Sequence, residues 1–140
     1  MTFAGLNWLA IVVAAAVGFG VAAVWYTVLA KPWMDAAGLT EADIKGEDGT
    51  KRPSPIPFII AAAAQLVIAY VLAGVIGHMG PVSIRTGLIS ALFIWFGFVV
   101  TTMSVNYAFQ LRPPKLTVID AGHWLAVIVA QGLVIGAFGT

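Results

Sequence analysis

The sequence predicts an all-α integral membrane protein, a bundle of four transmembrane helices with a short interfacial helix after the first. Hydrophobic residues make up 61% of the 140-residue chain and charged residues only 9%, whereas a soluble domain is about a quarter charged. Most of the charged side chains lie between positions 31 and 52, which leaves four charge-free runs at 1–30, 53–84, 86–111 and 121–140. Each run can cross a bilayer, since about 20 apolar residues suffice.

A single transmembrane domain, 1–140, is therefore expected, with spans at about 3–29, 57–77, 86–109 and 118–138. Trp8 and Trp25 mark the two ends of the first span. About 26 Å of helix separates them, which is close to the thickness of the hydrocarbon core. Both tryptophans are predicted to be interface anchors.

The segment 30–56 is predicted to be a cytoplasmic loop with helices of its own. Gly38 is placed where a glycine ends a helix, which favours a short helix in the interface with Trp33 facing lipid. Thr40 and Asp43 fit a capping box at the start of another short turn. These two patterns predict two short helical segments between the first two spans.

Lysine and arginine are unevenly shared between the two sides of the membrane. Segment 30–56 and the turn at 110–116 hold all of them except Arg85. Cytoplasmic loops are the ones enriched in Lys and Arg. Both termini are accordingly predicted to lie outside the cytoplasm, in a multi-pass protein of the inner (plasma) membrane.

Composition also argues against several functional classes. A net charge of +1 leaves no basic face for nucleic acid, and the absence of cysteine removes disulfides and thiol chemistry. His78 and His123 are predicted on opposite sides of the membrane, and a metal site needs about four ligands. No nucleophile with a base and an orienting partner is visible. We expect no enzyme activity, metal or cofactor.

Polar side chains within the spans are the informative ones, because lipid offers them no hydrogen-bond partners. Six residues near the predicted inner ends of the first, third and fourth spans form a candidate polar cluster: Trp25, Tyr26, Lys31, Asn106, Asp120 and His123. Asn106 and Asp120 lie at matching depths, so a contact between them is expected. An ordinary interface belt would have the same composition.

Asp120 allows two interpretations. With His123 one turn away, it is a candidate proton acceptor or cation ligand. Alternatively, Thr117 and Asp120 form a capping box, in which the carboxylate is stabilised by the unpaired N–H groups of a first helical turn.

Secondary polar candidates and small residues complete the set of candidate positions. Hydroxyls on the third span can bond to carbonyls of their own helix or join helices. Polar and glycine residues occupy separate stripes of the fourth span, which predicts two packed faces. The secondary polar positions are Gln65, Thr101, Thr102, Ser104 and Gln131, and the helix-packing positions are Ala14, Gly18, Gly132 and Gly136.

A tyrosine, a basic residue and a proline recur at an offset of 81 positions. Tyr26 and Lys31 precede Pro32 in the same pattern as Tyr107 and Arg112 precede Pro113. Two tandem helical hairpins would produce this pattern. The usual ends of inward-running spans would produce it as well.

Four short motifs occur in a fixed order along the chain: Asn7-Trp8-Leu9-Ala10, Trp25-Tyr26, Lys31-x-Trp33-Met34 and Leu116-x-x-Ile119-Asp120-Ala121-Gly122. Together they resemble the domain-of-unknown-function 1761 family of small, mostly bacterial, four-span membrane proteins. The resemblance covers nearly the whole chain and implies the four-span fold, but no activity. The family more often has a tyrosine near position 123, where this chain has His123.

The sequence is compatible with two functions. The polar stripe on the fourth span favours a subunit of a small-solute or ion transporter or channel. The pairs Ala14/Gly18 and Gly132/Gly136 favour a structural or assembly protein that packs through its glycine faces. Either function predicts a homo-oligomer in the lipid bilayer, because the core of one four-helix bundle is filled by side chains.

Overall fold

The computed structural model describes residues 5–139, which form helices joined by turns. Phe3 and Ala4, where the first span was predicted to begin, lie outside the described residues. The elements in chain order are α1 (Trp8–Val28), α2 (Ala30–Ala37), α3 (Glu41–Lys45), α4 (Ile56–His78), α5 (Ile84–Ile94), a π turn (Trp95–Val99), α6 (Val100–Phe109) and α7 (Pro114–Phe138).

Four segments are long and apolar enough to cross a membrane: α1, α4, the continuous stretch from α5 to α6, and α7. The predicted all-α fold class with four candidate spans is thus confirmed. Half of the apolar stretch of α7 is buried, against 11% of that of the third segment. The last helix therefore lies at the centre of the bundle, where it contacts α1, α4 and α5.

Side-chain caps explain several helix starts. The Asn7 side chain accepts the N–H of Ala10 at 3.0 Å at the start of α1, and Ser83 and Thr86 form a reciprocal capping box before α5. The start of α7 differs from its prediction. It begins at Pro114, because a proline in a first turn loses no helical hydrogen bond.

The capping-box interpretation of Asp120 is consequently wrong. Thr117 lies inside α7 and cannot be its N-cap, and the first turn of that helix holds no acidic residue. Asp120 sits in the second turn, where backbone N–H groups are already bonded within the helix. Its carboxylate therefore needs partners from other helices.

The segment between α1 and α4 confirms the two predicted short helices. Gly38 ends α2 with a left-handed φ of 73°. Thr40 and Asp43 form the predicted capping box of α3. The backbone N–H of Thr40 donates a hydrogen bond to the Asp43 carboxylate, and this bond is the main reason why the pKa of Asp43 lies below its usual value. A second hydrogen bond, from the Thr40 hydroxyl, lowers it further. We call the end of the bundle where α2 meets the start of α7 the loop end.

The π turn decides which face of the third segment is buried. An uninterrupted α-helix, at about 100° per residue, would place Tyr107 about 160° around the axis from buried Ala91. The N–H of Val100 instead bonds to the carbonyl of Trp95, five residues back, and this extra residue removes about 100° of rotation. Tyr107 thereby turns toward the bundle, where it is partly buried.

Two threonines follow the π turn and bond to its carbonyls. The hydroxyl of Thr101 donates to Gly97 at 2.9 Å, and that of Thr102 donates to Phe98 and to Val99, the latter at 3.1 Å. A threonine hydroxyl in a helix commonly bonds to a carbonyl three or four residues back in its own helix. The threonines thus serve their own helix.

We expect the double substitution Thr101→Val and Thr102→Val to lower the free energy of unfolding by about 2 kcal/mol, since each lost hydrogen bond contributes about 1 kcal/mol. Unfolding by SDS in mixed micelles, followed by far-UV circular dichroism, measures it. Thr27→Val is the matched control, because Thr27 makes the same kind of bond, to Ala23 at 2.6 Å, in the regular helix α1. A loss for the double substitution of no more than twice that for Thr27→Val would show that the π turn depends on these hydroxyls no more than a regular helix does.

Glycines bring α5 and α7 into backbone contact. A Cβ on Gly132 would lie 2.6 Å from the carbonyl oxygen of Gly87, and a Cβ on Gly136 would overlap the backbone of Ser83. On α1, a Cβ on Gly18 would strike the side chains that α4 and α7 place opposite it. All of these contacts lie within one chain.

A hydrogen-bonded amide pair joins α4 and α7 inside the bundle. The Gln131 amide nitrogen donates to the Gln65 side-chain oxygen at 2.6 Å and to the Gln65 backbone carbonyl at 3.3 Å. Gln131 is completely buried and Gln65 is 2% exposed. Both secondary polar positions therefore serve helix packing, since an amide pair in an apolar interior holds two helices together.

Candidate functional site

Asp120 is the centre of the candidate site. It is 7% exposed, and each of its two carboxylate oxygens accepts one tyrosine hydroxyl. Tyr26 of α1 donates to Oδ1 and Tyr107 of α6 donates to Oδ2, both at 2.7 Å. The two tyrosines that recur at an offset of 81 positions thus converge on one carboxylate from opposite helices.

Two indoles hold the backbone of α7 on either side of this carboxylate. Trp25 donates its Nε1–H to the carbonyl of Ile119 at 3.1 Å, and Trp95 of the π turn donates to that of Ala121 at 2.7 Å. Trp25 therefore points into the bundle and is not the headgroup anchor that its position in the span predicted. These bonds fix the height and rotation of Asp120 relative to α1 and the third segment.

His123 lies one turn further along α7 and is 5% exposed. Its ring packs between two aromatic rings, with centroids 4.7 Å from Tyr26 and 4.6 Å from Trp124. Neither ring nitrogen has a hydrogen-bond partner among the described residues. The histidine is a buried polar group next to the carboxylate, with both nitrogens still able to take part in a hydrogen bond.

The structure separates the members of the candidate polar cluster. Trp25, Tyr26, Asp120 and His123 come together, whereas the side chains of Lys31 and Asn106 are exposed. The expected contact between Asn106 and Asp120 does not occur among the hydrogen bonds of the described residues. The neighbouring Tyr107 takes that place because the π turn rotates α6.

Two residues of the site, Tyr107 and Trp95, were absent from the predicted cluster. The offset of 81 positions from Tyr26 was the one sequence signal that could have identified Tyr107. Trp33 also belongs here: it was expected to face lipid, but its ring packs edge-on against Tyr26 with centroids 5.7 Å apart. It joins a small apolar cluster between α2 and the start of α7.

A cavity of about 250 Å³ leads to the carboxylate at the loop end. Its lining residues include Asp120, Tyr107, Trp33, Gln110 and Arg112. The Arg112 guanidinium donates to the carbonyl of Ala37 at 3.2 Å, which ties α2 to the turn before α7. One small space thus holds a carboxylate, a guanidinium, an amide and an indole.

Larger crevices elsewhere are lined almost wholly by apolar side chains. One of about 610 Å³ lies along α1 from Gly20 to Leu29. Another of about 360 Å³ lies between α4 and the π turn, with Trp124 among its lining residues. Among the described residues, no three His, Cys, Asp or Glu side chains are grouped closely enough to hold a metal ion. The cavity at Asp120 is therefore the one of these three that charged side chains line.

Comparison with known proteins identifies a family. The model of the family described as protein of unknown function DUF1761 matches residues 9–136, nearly the whole chain. No curated protein and no solved structure matches the chain.

Proposed function

The chain belongs to the DUF1761 family, whose function is unknown, and we propose from the surroundings of Asp120 that it is a subunit of a small-solute or ion transporter in which Asp120 is the binding group. We propose that the protein lies in the inner (plasma) membrane with its loop end in the cytoplasm, because six of the seven Lys and Arg residues lie at that end. Both termini then lie on the outer side.

The surroundings of Asp120 carry this proposal. A carboxylate inside a membrane segment is costly unless it is paired or functional. Its protein partners, Tyr26 and Tyr107, are neutral donors that orient the carboxylate without cancelling its charge. A proton or a cation entering the cavity would supply the missing positive charge. Reversible binding of this kind is what a transporter uses.

Two other polar side chains continue along the interior face of α7. His123 and Gln131 are buried on the same side as Asp120, and the three positions cover about 16 Å of helix rise. The interior of the helix bundle is nevertheless filled by side chains, since Leu72, Ile76 and Val127 are almost completely buried. We therefore propose that transport requires a homo-oligomer.

The alternative function, assembly through glycine faces, loses its main support. Gly132 and Gly136 are covered by α5, and Gly18 is covered by the side chains of Gln65 and Gln131. A surface already packed within one chain does not offer itself to a second copy. Transport is therefore the function we propose.

The test is a flux assay on the full chain in proteoliposomes that contain the pH dye pyranine. Gradients of Na⁺, K⁺, ethylammonium and glycine are applied in turn. We expect at least one to change the internal pH faster than in protein-free liposomes. Asp120→Asn should slow that change at least about tenfold, because the loss of 1.4 kcal/mol of binding is a factor of ten.

Asp35→Asn is the matched control, since Asp35 is an exposed acid on α2 at the same end of the bundle. It should leave the rate unchanged. Rates that match protein-free liposomes for all four gradients, or a rate that survives Asp120→Asn, would contradict the proposed function.

A further inference from the structure

We infer that the loop-end cavity binds a small zwitterion, with the ammonium group of the ligand on Asp120 and its anionic group on Arg112. This inference rests on the proposed function in one respect, that Asp120 is the binding group. It adds the class of ligand and a second charged contact.

Asp120 retains the capacity to bind an ammonium group. A carboxylate has about four lone-pair positions for hydrogen bonds, and the two tyrosines use one on each oxygen. The tyrosine hydroxyls leave its negative charge in place. An ammonium group, with its several N–H donors and its positive charge, satisfies both the remaining positions and the charge.

The chain turn after α6 places Arg112 beside the same cavity. Leu111 adopts a left-handed φ of 56°, and its N–H bonds to Ala108 at 3.1 Å while the N–H of Arg112 bonds to Tyr107 at 2.9 Å. This pair of bonds is a Schellman motif, which normally has glycine at the left-handed position. Arg112 is therefore held by the backbone of the residue that orients Asp120.

Arg112 also has donors to spare. A guanidinium carries five N–H donors in a planar fork, and the structure uses one nitrogen, Nη1, on the carbonyl of Ala37. The remaining edge suits a carboxylate or phosphate group, which guanidinium recognises bidentately. The single bond to Ala37 holds the side chain at the cavity wall and leaves its other N–H donors available for a ligand.

Opposite charges on the wall of one small space select for a ligand with both. A simple cation on Asp120 or a simple anion on Arg112 gains one favourable charge contact, whereas a zwitterion of matching length gains both. A volume of about 250 Å³ corresponds to roughly eight water molecules at about 30 Å³ each. This volume accommodates a headgroup or an amino acid.

A zwitterion of this size has two sources at a membrane surface. One is a free solute such as an amino acid or ethanolamine phosphate. The other is the headgroup of phosphatidylethanolamine, which lies in the interface where polar headgroups meet the ends of spans. The recognition chemistry is the same for both, an ammonium and an anion a few bonds apart.

The experiment uses the full chain in nanodiscs of phosphatidylglycerol, which has no ammonium group. Binding of ethanolamine phosphate is compared by calorimetry with that of ethylamine and methyl phosphate, each of which carries one of the two charges. In a second arm, phosphatidylethanolamine is added to the discs and retained lipid is counted by native mass spectrometry. We expect the zwitterion to bind at least about tenfold more tightly than either single-charge compound, or the lipid to be retained selectively.

Variants assign the two contacts. Arg112→Gln should remove the preference for the zwitterion, Arg112→Lys should keep part of it, and Asp120→Asn should abolish binding of ammonium compounds. Lys115→Gln is the matched control, since Lys115 is an exposed basic residue three positions further along, in the first turn of α7, and it should leave the preference intact. Retained binding of ethylamine by Arg112→Gln would show that this variant is folded.

The outcomes distinguish the two proposals. If ethylamine binds as tightly as the zwitterion and Arg112→Gln changes nothing, the zwitterion inference is overturned while Asp120 stands as a cation site. Both proposals fail if no ammonium compound binds in a way that depends on Asp120. This outcome covers the soluble zwitterion, the lipid and ethylamine. Binding of the soluble compound in phosphatidylglycerol discs supports a free solute, and selective retention of the lipid alone supports a headgroup.

Discussion

Gly132→Ala is expected to lower the free energy of unfolding by about 3 kcal/mol, because the new methyl group meets backbone on α5. Its carbon would lie 2.6 Å from the carbonyl oxygen of Gly87 and 3.2 Å from the Cβ of Ala91. Backbone atoms cannot rotate away as a flexible side chain can. Separation of α5 from α7 relieves the overlap, and it removes contacts along the whole α5 and α7 interface. SDS unfolding in mixed micelles, followed by circular dichroism, measures the loss.

Gly20→Ala is the matched control and should have the opposite sign. A Cβ at this helical glycine meets nothing within 4 Å. Replacing a glycine in a helix interior by alanine favours the helix by about 0.5–1 kcal/mol. A stability for Gly132→Ala equal to or above that of Gly20→Ala would mean that α5 and α7 are not in backbone contact.

Loss of both tyrosine hydroxyls should be the second large effect. Tyr26→Phe combined with Tyr107→Phe leaves the Asp120 carboxylate buried without its two donors. Hydrogen bonds to charged groups contribute about 1.5–3 kcal/mol each, so we expect a loss of about 4 kcal/mol in the free energy of unfolding. Phenylalanine keeps the ring packing of Tyr26 on His123, which isolates the hydroxyls.

The same two substitutions in an Asp120→Asn background provide the control. An asparagine side chain is neutral, and hydrogen bonds to it contribute only about 0.5–1.5 kcal/mol each. The loss should therefore fall to about 2 kcal/mol, and the difference between the two backgrounds is the coupling energy of hydroxyls and carboxylate. Equal losses in both backgrounds would show that the hydroxyls stabilise the bundle by some route other than Asp120.

Helix limits and local caps could be predicted from the sequence, because they depend on short stretches of chain. The capping box of Thr40 and Asp43 and the glycine stop at Gly38 are formed by residues within a few positions of each other. The error at Thr117 has the same origin. Its pattern was a valid cap, but the Pro113–Pro114 pair offered an earlier start.

The composition of the site could be predicted only in part. Asp120 and Tyr26 were identified because polar groups at a membrane end of a span are conspicuous. Tyr107 was missed in favour of Asn106, because an extra residue in the π turn rotates everything after it by about 100°. Trp95 makes its bond to Ala121 from that same turn.

The sequence by itself determined that this chain has four helices long and apolar enough to cross a membrane, and where those helices stop, since hydrophobicity, prolines and caps act over a few neighbouring residues. Only the tertiary structure decided the partners. It turned the glycines of α7 against α5, brought the recurring tyrosines to one carboxylate, and placed Arg112 beside that carboxylate's cavity. The physical reason is that these contacts depend on the relative rotation and depth of whole helices, which packing over long stretches sets.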